Sequence, residues 1–492
     1  MAVKSIGAYQ TKIYQLIFGL LLVALGLMAV RRMMSGTVQS GQMIAAVVIG
    51  FAMVMILDRR YWLLLPILGG FGMKVPGLPF NGAELGQISV VAVHAARLGL
   101  HRDTPAKLGA DTWPIFPVFF WIAGIFCMNP SGLAMLGNST IGSRFYMQIA
   151  LGFCVFFALS AQRLNESDCK LLFRTLILAT VFRLCREILL PQADPDALTI
   201  GSEEPERNAR YAFVGFSSLY LYLFAKYSLP EIVGSFLRIG LVAVFSALTI
   251  YSGKRRMAGQ LFLIPWFSVF LRKRGRVEVL ILSFFAIIVL SFLIAGDGTY
   301  YETPKSAQRA LAIVAPRKYL KDTDSGGIHD AFRRGMRKQA RNVISLHPFV
   351  GRKGFSMSFE ETLWGMHTGD DAIYASHAAS GNWHSAVYSF AADFGVPCLI
   401  LFALFFLKST FFECQQCRTI RTGTYAHVMM MVYALNNLCT LVFSYTSGHS
   451  AETFAWLCNN YGWAIAIAGA ATRQDVVVNH NSVHGEGERC VA

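Results

Sequence analysis

The apolar residues of this chain come in long blocks rather than at the spacing of amphipathic helices. Of its 492 residues, 54% are hydrophobic and only 15% are charged. A bilayer core takes about 20 apolar residues as a helix, and backbone groups in lipid must be hydrogen-bonded internally. The pattern therefore predicts an all-α, polytopic integral membrane bundle. A transmembrane β-barrel is disfavoured because alternating short segments do not occur.

Twelve apolar blocks are long enough to predict membrane helices. They lie near 13–30, 43–57, 113–129, 145–161, 170–190, 211–226, 231–251, 257–271, 279–295, 385–407, 424–448 and 453–471. Glycine and proline interrupt the apolar runs of 61–98, so this segment forms either two short spans or a re-entrant hairpin. The sequence therefore predicts about 12–14 transmembrane helices.

A short loop rich in basic residues fixes the orientation of the bundle. The stretch LRKRGRVEV, 271–279, joins two apolar blocks, and loops of this kind stay in the cytoplasm. The same rule places four further loops inside: 97–112, 162–170, 226–230 and 408–421. Arg31 and Arg32 fall outside and do not fit. Because orienting loops explain the net charge of +15, a nucleic-acid partner is not expected.

This orientation divides the chain into four parts. They are the N-terminal transmembrane helices 1–296, a large extracytoplasmic loop 297–383, the C-terminal transmembrane helices 384–471, and a cytoplasmic tail 472–492. The tail is polar and predicts disorder. Cys414 and Cys417 form a C-x-x-C in a cytoplasmic loop, where zinc would need two more ligands, so a structural or accidental pair is favoured.

Three basic residues break the charge rule on the extracytoplasmic side. Lys254, Arg255 and Arg256 lie between two apolar spans, where the rule disfavours them. Such side chains either reach lipid headgroups or bind an anion. Because the guanidinium fork matches phosphate oxygens, a lipid diphosphate at the headgroup level is the favoured ligand.

Further arginines fall on the same predicted side. Arg210 stands at the start of the span 211–226, and Arg334, Arg337 and Arg341 recur at a spacing of three to four residues in the large loop. This spacing predicts that the last three share one helical face. The alternative for any one of them is a solvated basic face.

His384 ends the large loop where the next apolar block begins. An unperturbed histidine pKa of about 6.5 allows the side chain to accept a proton near neutral pH. The alternative is a polar anchor at the membrane interface. The position favours a base that faces a lipid-bound donor.

Three stretches resemble motifs of the O-antigen ligases. In HSAVYSFAADFGVPC, the histidine is followed by Ser385, nine residues and Gly395, as in the family, although Cys398 departs from the usual Gly, Thr or Tyr. RRGMRKQARNVISLHPFVGRKGFSM is similar to the family's loop pattern, which runs from an arginine helix into a His-Pro-(apolar)-x-Gly-x-Gly-(aromatic) turn, although Lys353 interrupts the pattern before Gly354. YSGKRRMAG resembles the start of an earlier span.

The chain thus looks like a member of the O-antigen ligase and polymerase superfamily, membrane glycosyltransferases of the GT-C type. The resemblance implies transfer of a glycan from undecaprenyl diphosphate to an acceptor hydroxyl at the periplasmic face of the bacterial inner membrane, without metal or cofactor. It implies His384 as the base or hydroxyl-orienting group. The implied diphosphate ligands are Arg255, Arg256, Arg210, Arg334 and Arg337, supported by Lys254, Ser385, Arg341 and Gly395.

The acceptor stays open at this point. A polymerase would use another lipid-linked glycan and is favoured slightly because of Cys398. A ligase would use lipid A–core, and a related enzyme would use a protein hydroxyl. A lipid-linked glycan flippase is the rival from another class, but it has little use for a large outer loop that ends in a histidine.

Overall fold

The computed structural model describes most of the chain after residue 57. The described ranges are 58–71, 81–101, 103–106, 109, 111–129, 143–189, 212–252, 254–272, 276–303, 308, 311–312, 315–319, 325–355, 383, 385–444 and 450–487. For some helical residues, Arg255 and 470–487 among them, only the backbone is described. The predicted spans 13–30 and 43–57 and the site residues Arg210 and His384 lie outside the described residues.

The described residues form helices and no strand, which confirms the all-α prediction for this part of the chain. The α-helices are α1 Leu64–Phe71, α2 Gly82–Gly99, α3 Ile115–Met128, α4 Ser143–Ser160, α5 Glu166–Leu189, α6 Phe216–Lys226, α7 Leu229–Val233, α8 Phe236–Tyr251, α9 Arg255–Leu271, α10 Arg276–Gly296, α11 Pro316–Tyr319, α12 Ser325–Leu346, α13 Ala386–Phe394, α14 Val396–Thr419, α15 Tyr425–Phe443 and α16 Ser450–Gly487. Two 3₁₀ turns, Asp58–Leu63 and Ala212–Gly215, precede α1 and α6.

Two predicted boundaries are wrong. The single span 385–407 is two helices, α13 and α14, and α14 continues to Thr419. Cys414 and Cys417 therefore lie in a helix rather than in a loop. The tail predicted to be disordered continues α16 as far as Gly487. The first error arises because a continuous apolar run reads as one helix although Gly395 breaks it, and the second because an apolar block marks only the segment of bilayer length.

Two of the described helices are long and apolar enough to cross a bilayer by length and composition, namely α14 and α15. Shorter apolar helices of 10–17 residues occur as well, among them α3, α6 and α8. In the region 61–98, α1 and α2 form a pair of contacting helices, and 72–80 between them lie outside the described residues.

The core is built by close helix contacts through small residues. A Cβ atom on Gly152 of α4 would lie 2.6 Å from the Ala455 Cα of α16, and one on Gly462 would lie 3.0 Å from the Leu159 Cβ. Small residues at such crossings let two helix backbones approach closely. The first half of α16 is thereby held along α4, inside a core rich in phenylalanine.

The bundle has two ends with different chemistry. At the far end, defined here by the end of α6 and the start of α15, side chains cap helices. The Arg272 guanidinium donates to the carbonyl oxygens of Phe224 at 3.1 Å and Ala225 at 2.7 Å, while the Glu166 carboxylate accepts from the first amides of α15. These bonds satisfy backbone groups that helix ends leave unpaired.

The far end also holds a polar cluster between α2 and α3. The Asp103 carboxylate accepts from Tyr61 Oη at 3.0 Å and from Arg97 Nε at 3.0 Å, and it lies 3.3 Å from His94 Nδ1. Burial raises the pKa of the Asp103 carboxyl, but the hydrogen bonds from these three residues outweigh it and leave the pKa below its usual value.

Candidate functional site at the loop end of the bundle

The loop end, defined by the start of α9 and α13 and the end of α15, contains a helix break at Gly395. This residue joins α13 to α14 with a φ of +89°, a conformation that side chains with a Cβ rarely adopt. A Cβ atom there would lie 2.0 Å from the carbonyl oxygen of Phe349. Pro397 follows in the first turn of α14, where its missing amide costs no helical bond. Gly395, predicted as a supporting residue, is therefore required by both conformation and space.

The loop motif HPFVGRKGF, 347–355, docks directly onto this break. The amides of Arg352 and Gly354 donate to the carbonyl oxygens of Ala392 and Asp393 at 2.8 and 2.7 Å. The Val396 amide donates to the Pro348 carbonyl oxygen at 2.8 Å. These bonds satisfy groups at the end of α13 and the start of α14 that have no helical partner. Two of the three stretches that carry the resemblance are thus in contact.

The glycines of the motif fit the same surface. Gly351 has a φ of +59°, and a Cβ atom there would lie 2.5 Å from the Ala392 carbonyl oxygen. Gly354 has a φ of +93° and closes on the Tyr146 hydroxyl. Phe355, the aromatic residue that ends the motif, is buried against Tyr146 and Phe394 at ring-centroid distances of 5.1 Å. The Gly-x-x-Gly-aromatic order is therefore explained by packing.

A buried carboxylate lies beneath the docked loop. Asp393 is fully buried and accepts hydrogen bonds from Arg352 Nε at 2.9 Å, Trp383 Nε1 at 2.9 Å and Ser450 Oγ at 3.3 Å. The Arg352 guanidinium also lies 5.6 Å from the centroid of the Trp383 ring. A buried charge is tolerated when it is paired and hydrogen-bonded, as it is here. The loop, the residue before His384 and the start of α16 therefore converge on one side chain.

Ser385 caps the helix that follows it. Its hydroxyl accepts from the Tyr388 amide at 3.4 Å, and the Ala386 amide donates to the Ser444 carbonyl oxygen at 3.0 Å. Ser385 is fully buried. The predicted supporting residue thus acts as an N-cap tied to the end of α15. His384 lies outside the described residues, but both of its chain neighbours, Trp383 and Ser385, are held by hydrogen bonds.

Arg256 reaches the same end of α15. Its Nη2 donates to Thr440 Oγ1 at 3.0 Å, and Thr440 precedes Ser444 by one helical turn, about 6 Å of rise. Gly259, one turn further along α9, allows Phe443 to approach so closely that a Cβ would lie 2.3 Å from its ring. The structure therefore brings Arg256 and the residues that follow His384 to one helix end.

The other ligands predicted near Arg256 are Arg255, Lys254 and Arg210. The Arg255 side chain lies outside the described atoms, and Lys254 precedes α9 as an exposed N-cap residue. Arg210 is outside the described residues. The described residues continue from Ala212. Ser217 Oγ, at the start of α6, donates to Met257 Sδ at 3.3 Å. The segment that follows Arg210 thus lies beside the first turn of α9.

The three predicted arginines of α12 lie within about 60° of one another around the helix axis, so they share one face as their spacing predicts. Arg334 and Arg341 are exposed together with Lys338, whereas Arg337 is half-buried. At 100° per residue Arg337 is displaced toward Ala340, whose side chain belongs to the cluster that covers Trp383. Docking of Met336 and Ala340 on α13 therefore half-buries the edge of the face that carries Arg337.

Sequence reasoning missed Asp393, Arg352 and Trp383. Asp393 carries a usable signal because it is a lone acid inside an apolar block, and ionisable residues within such blocks are costly and functional by default. Arg352 and Trp383 carry no comparable signal, since only the fold brings them to that carboxylate.

Within the described part of the chain, no three His, Cys, Asp or Glu side chains gather in a way that could hold a metal ion. The sequence matches no protein-family model and no curated protein. Functional assignment therefore depends on the residues and their geometry.

Proposed function

We propose that this protein is an integral membrane glycosyltransferase of the O-antigen ligase and polymerase type, and that it polymerises a lipid-linked glycan. The observation that carries the proposal is the docking of the loop motif 347–355 onto the helix break at Gly395. These are two of the three stretches that resemble the superfamily, and they interlock through backbone bonds and glycines. Chance similarity in two unrelated stretches gives no reason for such a fit.

A multi-pass membrane location is supported by exposed apolar stripes on several helices. On α14 and α9, large apolar side chains are exposed at a spacing of three to four residues, and on α10 the exposed surface is broader and also includes Ile287 and Val289. The stripes consist of Ile400, Leu404, Leu407 and Phe411 on α14, Phe262, Trp266 and Phe270 on α9, and Val277, Ile281, Phe284, Ile288 and Phe292 on α10. Water-facing surfaces rarely carry apolar patches of this extent, whereas lipid-facing ones do.

In the proposed orientation the far end faces the cytoplasm and the loop end faces the periplasm of the bacterial inner membrane. The end of α9, with Arg272, lies at the far end, and the sequence that follows Arg272 is basic. Loops of that composition are retained in the cytoplasm. The docked loop and Arg256 would then meet the donor at the outer headgroup level.

The proposed reaction uses the loop end as follows. The acceptor hydroxyl oxygen forms a bond to the anomeric carbon of the donor glycan, and the bond from that carbon to the diphosphate oxygen breaks. His384 takes the hydroxyl proton, and undecaprenyl diphosphate leaves with the electron pair. Arg256, with Arg255, Arg210 and Arg337, would stabilise the charge that develops on the diphosphate.

Direct transfer of this kind inverts the configuration at the anomeric carbon. NMR of the newly formed linkage tests this point. A product with retained configuration would contradict single-step attack by the acceptor hydroxyl.

The acceptor is tested with purified protein in detergent and a synthetic undecaprenyl-diphosphate oligosaccharide. A ladder of products from the lipid-linked glycan alone supports polymerisation. A single transfer to added lipid A–core identifies a ligase instead. If no bond forms with either acceptor but the lipid crosses a vesicle bilayer, the protein is a transporter and the proposal is wrong.

His384→Ala is the variant that tests the base. We expect transfer to fall at least about a hundredfold, because general bases contribute roughly 10²–10⁴-fold. His101→Asn is the matched control, since His101 is an exposed histidine at the far end and asparagine tolerates its φ of 55°. Near-normal transfer by His384→Ala, with both variants folded equally, would contradict the assignment.

A further inference from the structure

The Asp393 carboxylate connects the docked loop to the residue before His384. Its Oδ1 accepts from both Arg352 Nε and Trp383 Nε1, each at 2.9 Å, and its Oδ2 accepts from Ser450 Oγ at 3.3 Å. All three donors come from different segments of the chain. An anchor for the loop alone would need only the Arg352 bond.

Packing holds the Trp383 ring in one position beside the Asp393 carboxylate. It is 1% exposed and is enclosed by Met336 and Ala340 of α12 and by Ala392 of α13. Arg352 covers its face. A buried ring with its N–H bonded has its rotamer fixed by packing and hydrogen bonding together.

On the other side of His384 the chain is held independently. Ser385 caps α13, and the Ala386 amide donates to the Ser444 carbonyl oxygen of α15. The backbone is therefore fixed after His384 by α15 and before it by the Asp393–Trp383 bond. Without that bond, packing alone would hold the Trp383 ring on the loop side of His384.

We propose that Asp393 is a positioning residue, which acts through Trp383 to hold the chain on the loop side of His384 in one orientation. This inference rests on the proposed function, in which His384 is the base. A base must stand within hydrogen-bond reach of the acceptor hydroxyl, and a displacement of about 1 Å costs up to about a hundredfold in rate.

The test is Trp383→Phe, which keeps an aromatic ring and removes the N–H donor. Trp121→Phe is the matched control, because Trp121 Nε1 donates at the same helix break to a backbone acceptor. That acceptor is the Phe394 carbonyl oxygen, at 2.9 Å, rather than the Asp393 carboxylate. Donor-binding sites are titrated with undecaprenyl-diphosphate oligosaccharide in each preparation. Turnover is then expressed per donor-binding site, which removes the effect of misfolded protein.

We expect turnover per site to fall at least about tenfold in Trp383→Phe, with KM for the donor within about twofold of the wild type, and to change less than about twofold in Trp121→Phe. A purely structural role would reduce the number of sites and leave turnover per site unchanged. That result would overturn the inference while leaving the proposed function intact.

Arg352→Gln separates the loop anchor from the tryptophan bond. It removes the ion pair with Asp393 but leaves the Trp383 N–H and its acceptor in place. We expect a lower Tm, with turnover per site within about threefold of the wild type. A loss per site equal to that of Trp383→Phe would assign positioning to the loop and overturn the role of Trp383. Absence of transfer by the wild-type protein would overturn the proposed function, and the inference with it.

Discussion

Arg256 and Arg272 stand at opposite ends of α9, and their partners differ in kind. Arg272 donates to two carbonyl oxygens at the end of α6 and so completes that helix. Arg256 donates to a side-chain hydroxyl, Thr440 Oγ1, beside the end of α15. Cationic groups at a helix C-terminus stabilise the fold directly. The far end thus uses its arginine to finish the bundle, whereas the loop end holds one beside the proposed site.

Two glycines show the same contrast. Gly395 at the loop end and Gly423 at the far end have nearly equal φ values of +89° and +90°. A Cβ on Gly423 would meet no atom within 4 Å, whereas one on Gly395 would lie 2.0 Å from the Phe349 carbonyl oxygen. At Gly423, only the positive φ of the backbone requires glycine. The loop-end glycine also makes room for the docked motif.

The largest expected effect separates these two needs. Gly395→Ala should destabilise the protein by about 4 kcal/mol or more, because backbone strain adds to a clash with the loop backbone. Gly423→Ala should cost only the strain, about 1–2 kcal/mol. Thermal unfolding in detergent measures both values. Equal losses in the two variants would mean that the docked loop moves aside, so that the contact at Gly395 is not required.

The second prediction compares glutamine substitutions of the two arginines of α9, made one at a time. Arg272→Gln should lower the free energy of unfolding by about 2 kcal/mol, because two charge-assisted bonds to carbonyl oxygens are lost, and should leave donor affinity unchanged. Arg256→Gln should weaken donor binding at least about tenfold with a smaller change in Tm. Each variant is the control for the other. A donor affinity that falls equally in both would remove the distinction between the two ends.

The smallest effect is a pH dependence confined to the far end. The pKa of Asp103 is lower in the folded protein than its usual value of 3.8, so its bonds add stability above that value and lose it as pH falls through the folded pKa. We expect the wild-type Tm to drop more than that of Asp103→Asn as the pH falls below about 4.

The control for this experiment is Asp111→Asn, since Asp111 is exposed and lies 3.6 Å from Lys408 Nζ. Exposed pairs contribute little. Transfer measured after return to neutral pH should be unchanged in both variants. A pH effect that remains fully in Asp103→Asn would assign the acid sensitivity to another group.

Sequence alone predicts the helical class and most helix positions, because apolar blocks report length directly. It also selects Gly395 and Ser385 through their spacing from His384. It does not find the break between α13 and α14, since a continuous apolar run reads as one helix. The half-burial of Arg337 depends on how α12 docks, and the partners of Asp393 are separated from it by up to 57 residues along the chain. Such contacts are properties of the tertiary fold.

The interlocked glycines have a consequence for protein engineering. The segment 347–355 fits residues 392–396 at Gly351 and Gly395, where a Cβ atom would clash with the opposite backbone, and through the Arg352–Asp393 ion pair. Neither segment would therefore fit a counterpart taken from another protein. A chimera that exchanges the outer loop to change substrate preference should therefore take the loop and α13 as one cassette, with its downstream boundary after Val396. Recombination within the cassette would separate surfaces that were shaped together.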